Sequence, residues 1–290
     1  MILYKKATDL HNYIDSQRKS GYSIGFIPTM GALHEGHLSL IRAAKNHHQL
    51  TVCSIFVNPT QFNDPADFEK YPVTVDTDIA LLLSAGTDVL FLPSLGEIYP
   101  DGTKPDRHYA LGVLESLLEG KYRPGHFQGV CQVVHRLLDM VLPDVLYLGQ
   151  KDYQQCMVIS RLLELTGYSE KISIEICPTL REPDGLAMSS RNRRLSESAR
   201  ITAGSIFQTL LYLKDNLATG DLSALLKTAA NQLTTAGFRT DYVTIADAAT
   251  LQPCLNWDGK QQLVALIAAF LNDVRLIDNL PLTEAGQNLD

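Results

Sequence analysis

The sequence predicts an α/β protein in which a doubly wound parallel sheet is followed by a smaller C-terminal α+β domain. Three observations carry that expectation. The run at residues 50–57 is almost continuously apolar, the mark of a strand covered on both faces. Short apolar runs alternate with stretches of helical periodicity as far as Cys177, and repeated strand–helix alternation closes best as a parallel sheet with helices on both faces. From Ser196 the order changes to helices followed by strands.

Taken in order, Gly21 opens a turn before a short apolar strand containing Ile24, Phe26 and Ile27 and ending at Pro28. Residues 37–45 read as a helix through Leu38, Leu40, Ile41 and Ala44. The strand at 50–57 is followed by helical periodicity over 67–84 and a strand at 88–92. Residues 128–141 read as helix, 144–148 as strand, 152–165 as helix and 172–177 as strand. Beyond Ser196, helices are expected at 196–217 and 221–236, then strands near 242–246, 263–270 and 274–278. The segment 181–194 is rich in charge and turn formers, which puts the division near Gly185 and the domains at 1–184 and 185–290.

Composition narrows the function classes. The chain of 290 residues is 45% hydrophobic and 20% charged, the balance of a globular protein with a sizeable core. A net charge of −7 gives no overall field for polyanions, which weighs against a nucleic-acid binder. No stretch approaches the ~18 uninterrupted apolar residues of a membrane helix, and no targeting signal is visible, so a cytoplasmic protein is expected. Cys53, Cys131, Cys156, Cys177 and Cys254 are scattered and never spaced as Cys-x-x-Cys, and read as reduced core thiols.

The most informative segment is Phe26-Ile-Pro-Thr-Met-Gly-Ala-Leu-His-Glu-Gly-His37, a strand turning through Gly31 into a helix. A helix start presents unpaired N–H groups and partial positive charge, so phosphate is stabilised there without any side chain. His34 and His37 lie three apart, placing them on one face with about 5–6 Å between β-carbons. Imidazoles so placed can donate to phosphate oxygens and stabilise a departing pyrophosphate. The plain alternative is a pair of solvated polar residues. Zinc does not suit the spacing, because it is His-Glu-Gly-His rather than His-Glu-x-x-His and no third ligand is evident. Far downstream, Arg181-Glu-Pro-Asp-Gly-Leu-Ala-Met-Ser-Ser-Arg-Asn192 gathers Ser189, Ser190 and Arg191, whose hydroxyls and planar guanidinium suit triphosphate oxygens. The two segments are expected to converge on one triphosphate.

Four blocks, in this order, resemble the pantoate–β-alanine ligase (pantothenate synthetase) family, whose sites are of the class I nucleotidylyl-transfer type. They are Pro28-Thr-Met-Gly-Ala-Leu-His-Glu-Gly-His37, Phe56-Val-Asn-Pro-Thr-Gln-Phe62, Leu148-Gly-Gln-Lys-Asp-Tyr-Gln-Gln155 and Asp184-Gly-Leu-Ala-Met-Ser-Ser-Arg-Asn192. Tyr71-Pro72, Tyr99-Pro-Asp-Gly102 and Arg123-Pro-Gly-His-Phe127 add lesser agreements. The resemblance implies a Rossmann-like sheet, a homodimer, and ATP as substrate with Mg2+. It implies an ATP site built from Met30, Gly31, Ala32, Leu33, His34, Glu35, Gly36 and His37, from Gly149, Gln150, Lys151 and Asp152, from the backbone beside Leu180, and from Met188, Ser189, Ser190 and Arg191. It also implies that Gln61 and Gln155 hold pantoate with Asn58 and Tyr71 nearby, and that His37 acts as acid toward the leaving group.

Chemistry supports those roles. Amides such as Gln61 and Gln155 offer donors and acceptors to a substrate bearing hydroxyls and a carboxylate, although Gln154 is available beside Gln155. Phe56 and Phe62 can form an apolar wall or plain core. Lys151 follows the strand ending at Gly149, where open α/β sheets place ligand contacts, and can neutralise the attacked phosphate together with His34, His37, Ser189, Ser190 and Arg191. Asp152 can meet magnesium, meet the ribose or cap the following helix, and Asp78 is a further candidate for the metal's water shell. Two positions depart from the family pattern: Gln150 stands where many members have Glu, and Val73 where many have Arg.

Overall fold

The structure is a computed structural model that describes residues 1–105 and 107–283. It divides into two compact units, the first comprising 1–150 and 155–178, the second 151–154 and Thr179 onward. The division therefore falls at Pro178, earlier than the expected Gly185. The reason is local. Arg181 bridges to Ala187 and pairs with Asp278, so the charged, turn-rich stretch is part of the second unit rather than a linker. The short segment 151–154 joins that unit because Asn279 and Tyr153 tie it there, through Lys151 O and Ala248 O respectively.

The first unit is built on six parallel strands, β1 (Ile2–Tyr4), β2 (Ile24–Thr29), β3 (Leu50–Ile55), β4 (Val89–Phe91), β5 (Val145–Gly149) and β6 (Ser173–Cys177). Their order is β1-β4-β3-β2-β5-β6. Successive side chains of a strand face opposite ways, and the core follows. Phe26, Val52, Phe91 and Leu146 pack on one face with helix α1 (Ala7–Lys19) and the helices His126–Val141 and Tyr153–Thr166. Ile27, Cys53, Leu90 and Tyr147 pack on the other with α2 (Glu35–His47) and the helix Val75–Ser84.

Winding reverses between β2 and β5, and the pairing shows what that does. β2 stays paired with β3 to Thr29↔Ile55, and β5 with β6 to Gly149↔Cys177. Between β2 and β5, pairing stops at Phe26↔Leu146. The carboxyl ends of the two central strands therefore part, which is the place where open α/β sheets receive ligands.

The structure departs from the sequence reading in several elements. Strand β1 and helix α1 escaped prediction: the former is a three-residue edge strand, and the latter buries only Leu10 and Ile14. The expected helix over 67–84 is two, Pro65–Glu69 and Val75–Ser84. Pro72 lacks an N–H and drives Tyr71 out of the helical region, so the chain must restart. The expected helix over 196–217 is likewise interrupted at Gly204, between Glu197–Ala203 and Ser205–Asp215. The second unit otherwise has the expected helices-then-strands order. An antiparallel sheet of Arg239–Asp247, Leu263–Leu271 and Val274–Pro281, the middle one central, is covered by the helices Ser205–Asp215 and Ser223–Thr235.

All five cysteines are buried and unbridged. Burial pushes the thiols of Cys53 and Cys131 up to about 12 and that of Cys177 to about 11. Thiolate is the reactive form and is scarce well below those values. The native protein at pH 8 is thus expected to resist a thiol-disulfide reagent over minutes and to release five equivalents once denatured. Rapid labelling of native protein would contradict the packing described.

Candidate active site

The loop leaving β2 is strained and held from outside. Gly31 has φ +80° and Ala32 has φ +50°, a left-handed conformation that costs a residue with a β-carbon on the order of 1 kcal/mol. Asp78, 1% exposed on the helix Val75–Ser84, compensates by accepting from Ala32 N at 2.9 Å and Leu33 N at 2.8 Å. Thr74 Oγ1 donates to the same carboxylate at 3.1 Å. A β-carbon on Gly31 would stand 3.1 Å from Asp78 Oδ2, so glycine is needed there for space as well as for its dihedral. These bonds show the Asp78 carboxylate engaged with the backbone of the loop, a structural role beside the one expected for it in a metal's water shell.

The loop delivers the chain to α2, and His34 caps that helix. Its Nδ1 accepts from Gly36 N at 3.2 Å, while His37 Nδ1 accepts from His34 N at 3.4 Å. The rings are 4.1 Å apart with a 43° tilt. An Nδ1 that accepts must carry a lone pair, so the neutral ring bears its proton on Nε2. The reciprocal cap therefore sets both histidines as Nε2–H donors at the positive end of a helix dipole.

A second group forms around the 3-10 turn Pro59–Gln61 beyond β3. Asn58, 1% exposed, donates from Nδ2 to Gly129 O at 3.1 Å and to Gln61 Oε1 at 3.1 Å. Its Oδ1 accepts from Tyr99 OH at 2.8 Å and from Thr60 Oγ1 at 3.1 Å. Asn58 thus faces protein throughout, and its service is to orient Gln61, whose Nε2 donates to Met30 Sδ at 3.0 Å. The main chain of Gln61 is held as well. Arg123 Nη1 donates to His126 Nε2 at 3.1 Å, which leaves Nδ1 to donate to Gln61 O at 2.8 Å. Tyr71 packs edge-on to Phe62 at 5.7 Å, whereas Phe56 lies in the core against Tyr99. Gln154 is buried and Gln155 only half-buried, so Gln155 is the amide left facing outward. Tyr99, Arg123 and His126 lay within the lesser sequence agreements, but nothing in their spacing showed that they converge on one turn.

Gln150–Asp152 form a 3-10 turn after β5, with Lys151 Nζ 3.5 Å from Asp152 Oδ1. Gln150 is half-buried within it, and Val73 is largely exposed and has no packing role. In the second unit, Met188 N donates to Leu180 O at 3.0 Å, which brings together two stretches expected at ATP. Ser189 then caps the 3-10 turn Ser190–Arg194 by accepting from Arg191 N at 3.2 Å, so this basic segment is ordered rather than a bare loop.

The sequence profile described as pantoate-beta-alanine ligase matches residues 2–281. The chain belongs to that family. A pantothenate synthetase of Bacteroides fragilis is 43% identical over 279 residues, with 96% of this chain and 97% of that protein covered. The pantoate–β-alanine ligase of Schizosaccharomyces pombe is 41% identical over 286 residues, covering 98% and 99%. Among solved structures, pantothenate synthetase from Thermus thermophilus has a TM-score of 0.89 at 37% identity, covering 98% of this chain and all of that one. The pantoate-beta-alanine ligase from Francisella tularensis, complexed with beta-gamma ATP and beta-alanine, has a TM-score of 0.80 at 38% identity, covering 97% and 98%.

The turn carrying Gln61 sits tightly against the helix His126–Val141, and Gly129 permits it. A β-carbon on Gly129 would lie 2.2 Å from Thr60 O, a backbone atom. Gly129→Ala is expected to push the helix His126–Val141 off that turn, at a cost of about 1–3 kcal/mol by overpacking. The KM for pantoate should rise more than that for ATP, as initial rates and denaturant unfolding of the variant would show.

Proposed function

We propose that this member of the family joins pantoate to β-alanine in two steps. A carboxylate oxygen of pantoate attacks the α-phosphorus of ATP, the bond to the bridging oxygen breaks, and pyrophosphate leaves. The β-alanine amine then attacks the acyl carbon of pantoyl adenylate, loses a proton and expels AMP, giving pantothenate. The observation that supports this reading is the reciprocal cap of His34 and His37, which sets two Nε2–H donors at a helix start that follows β2, one of the two central strands whose pairing stops early.

No covalent enzyme nucleophile is required. Rate comes from alignment, which can supply about 7–11 kcal/mol of the barrier, and from donors placed where charge develops. His37, with His34, donates to the departing pyrophosphate. Lys151, Ser189, Ser190 and Arg191 neutralise the remaining phosphate charge, and the backbone of Met30–Gly36, Gly149–Gln150, Leu180 and Met188 completes the nucleotide site. Gln61 and Gln155 orient pantoate, with Tyr71 and Phe62 beside it.

Magnesium fits as a companion of the triphosphate, where it neutralises phosphate charge when bound. Among the described residues no group of three or more His, Cys, Asp or Glu could hold an ion, and hard cations of this kind are commonly held by phosphates plus one or two carboxylates. Asp152, half-exposed beside Lys151, is the carboxylate available for that purpose. No described helix is long and apolar enough to cross a membrane. The proposal includes a cytoplasmic location and a homodimer, the latter checked by sedimentation of the purified protein.

The decisive assay follows pyrophosphate exchange with ATP, magnesium and pantoate, then AMP release with β-alanine added or omitted. Exchange should require pantoate, and rapid AMP release should require β-alanine. Exchange indifferent to pantoate would reject the reading.

A further inference from the structure

The second unit contains a buried polar hub that the reaction does not itself require. The Arg181 guanidinium forms a two-pronged pair with Asp278, Nη1 to Oδ2 at 2.6 Å and Nη2 to Oδ1 at 3.1 Å. The same group donates to Asn279 O at 3.2 Å and Gly185 O at 3.1 Å, and lies 4.0 Å over the Phe207 ring. Asp278 and Asn279 are 4% and 1% exposed. Asp278 Oδ1 also accepts from Asn279 N at 2.8 Å, which fixes the backbone of that dipeptide. Asn279 then donates from Nδ2 to Lys151 O at 2.9 Å, across 128 positions of sequence.

We infer that Arg181, Asp278 and Asn279 are positioning residues that hold the Lys151 segment and the Met188–Arg191 segment in register. One side of the hub reaches the main chain of Lys151. The other reaches Gly185, at the turn leading into Met188 and Ser189, while the Arg181↔Ala187 bridge and the bond from Met188 N to Leu180 O continue the connection. Two strips of chain that carry phosphate-binding side chains are thereby fastened to a single buried site on the strand Val274–Pro281. A buried charged pair is seldom a net source of stability, since desolvation offsets the attraction. Here the pair supplies directional bonds to two backbone carbonyls, and the Asn279 beside it to a third, a task apolar packing cannot perform. Nothing in this requires Asn279 to touch a substrate, and the inference rests on the reading that Lys151 and Ser189–Arg191 serve ATP.

The test is a double-mutant cycle between Asn279→Asp and Lys151→Ala. Asn279→Asp keeps the size of the side chain and removes the N–H donated to Lys151 O. Misplacement by about 1 Å can cost 10²-fold, so the expected result is a loss of about tenfold or more in kcat/KM for ATP with KM for pantoate within about twofold of the parent. In the Lys151→Ala background the same change should cost almost nothing further, a non-additivity that general destabilisation does not produce. Asn279→Ser, smaller and neutral, provides the same cycle if the carboxylate impairs folding, and thermal unfolding of each variant is recorded alongside. Additive losses, or an unaltered ATP dependence in a folded Asn279 variant while Lys151→Ala is crippled, would overturn the inference. An unimpaired Lys151→Ala would instead overturn the assignment of Lys151 and leave the cause of failure plain.

Discussion

Replacing His37 by alanine is expected to lower kcat for pantothenate formation by about 10²–10⁴-fold, the range for a positioned proton donor or oxyanion donor. The side chain has two functions that the variant separates. Its Nδ1 accepts from His34 N, a cap worth about 1 kcal/mol, so the alanine protein should unfold a few degrees lower. In the proposed mechanism its Nε2–H is the donor for the leaving group, and its loss should fall on the rate. His37→Asn retains an acceptor close to the helix start but cannot reach as far outward. It should recover much of the stability and little of the turnover. A fully active His37→Ala enzyme would remove the basis of the mechanism.

The second large effect concerns a buried carboxylate bonded to the loop backbone. Asp78→Ala would remove the carboxylate that accepts from two buried N–H groups, those of Ala32 and Leu33. Each such loss costs about 1–3 kcal/mol, so the variant should be less stable by about 2–6 kcal/mol. It would also free Ala32 to leave its left-handed conformation, and the loop between β2 and α2 would relax with loss of ATP affinity. Asp78→Asn should be nearly as damaging, because one oxygen is exchanged for an NH2 that confronts a backbone donor. Chemical denaturation and ATP titration of both variants check this. Wild-type stability in Asp78→Ala would show that the loop holds itself.

Asp78 also illustrates what sequence could and could not reveal. The segment from Phe26 to His37 was legible because its chemistry is local: strand, glycine turn and helix start are contiguous, and the histidine spacing sets their common face. The strands at the centre of the sheet were legible for a similar reason, since burial on both faces leaves a continuous apolar run such as Leu50–Ile55. Strand β1 left no such mark, because it is short, lies at the edge and exposes Ile2 and Leu3. Asp78 looked like a free carboxylate near a nucleotide site because its partners lie 45 and 46 positions away. Asn58 was placed near the substrate pocket, yet only the fold shows that Tyr99 and Gly129 enclose it. Long-range hydrogen bonding decides whether a polar side chain meets ligand or protein, and periodicity carries no record of it.

Orientation can matter as much as identity. A carboxamide is nearly symmetric in outline, and an untethered glutamine can present either end to whatever approaches. At Gln61 that choice is made in advance, since the carbonyl of Gly129 dictates which way Asn58 lies, and Asn58 in turn draws the Gln61 oxygen toward itself. The nitrogen end is turned toward Met30, to whose sulfur it donates. A helix backbone thus acts as the arbiter of polarity at a side chain it does not touch, and a molecule settling against Gln61 meets a surface whose preference for lone pairs over protons was decided when the chain folded.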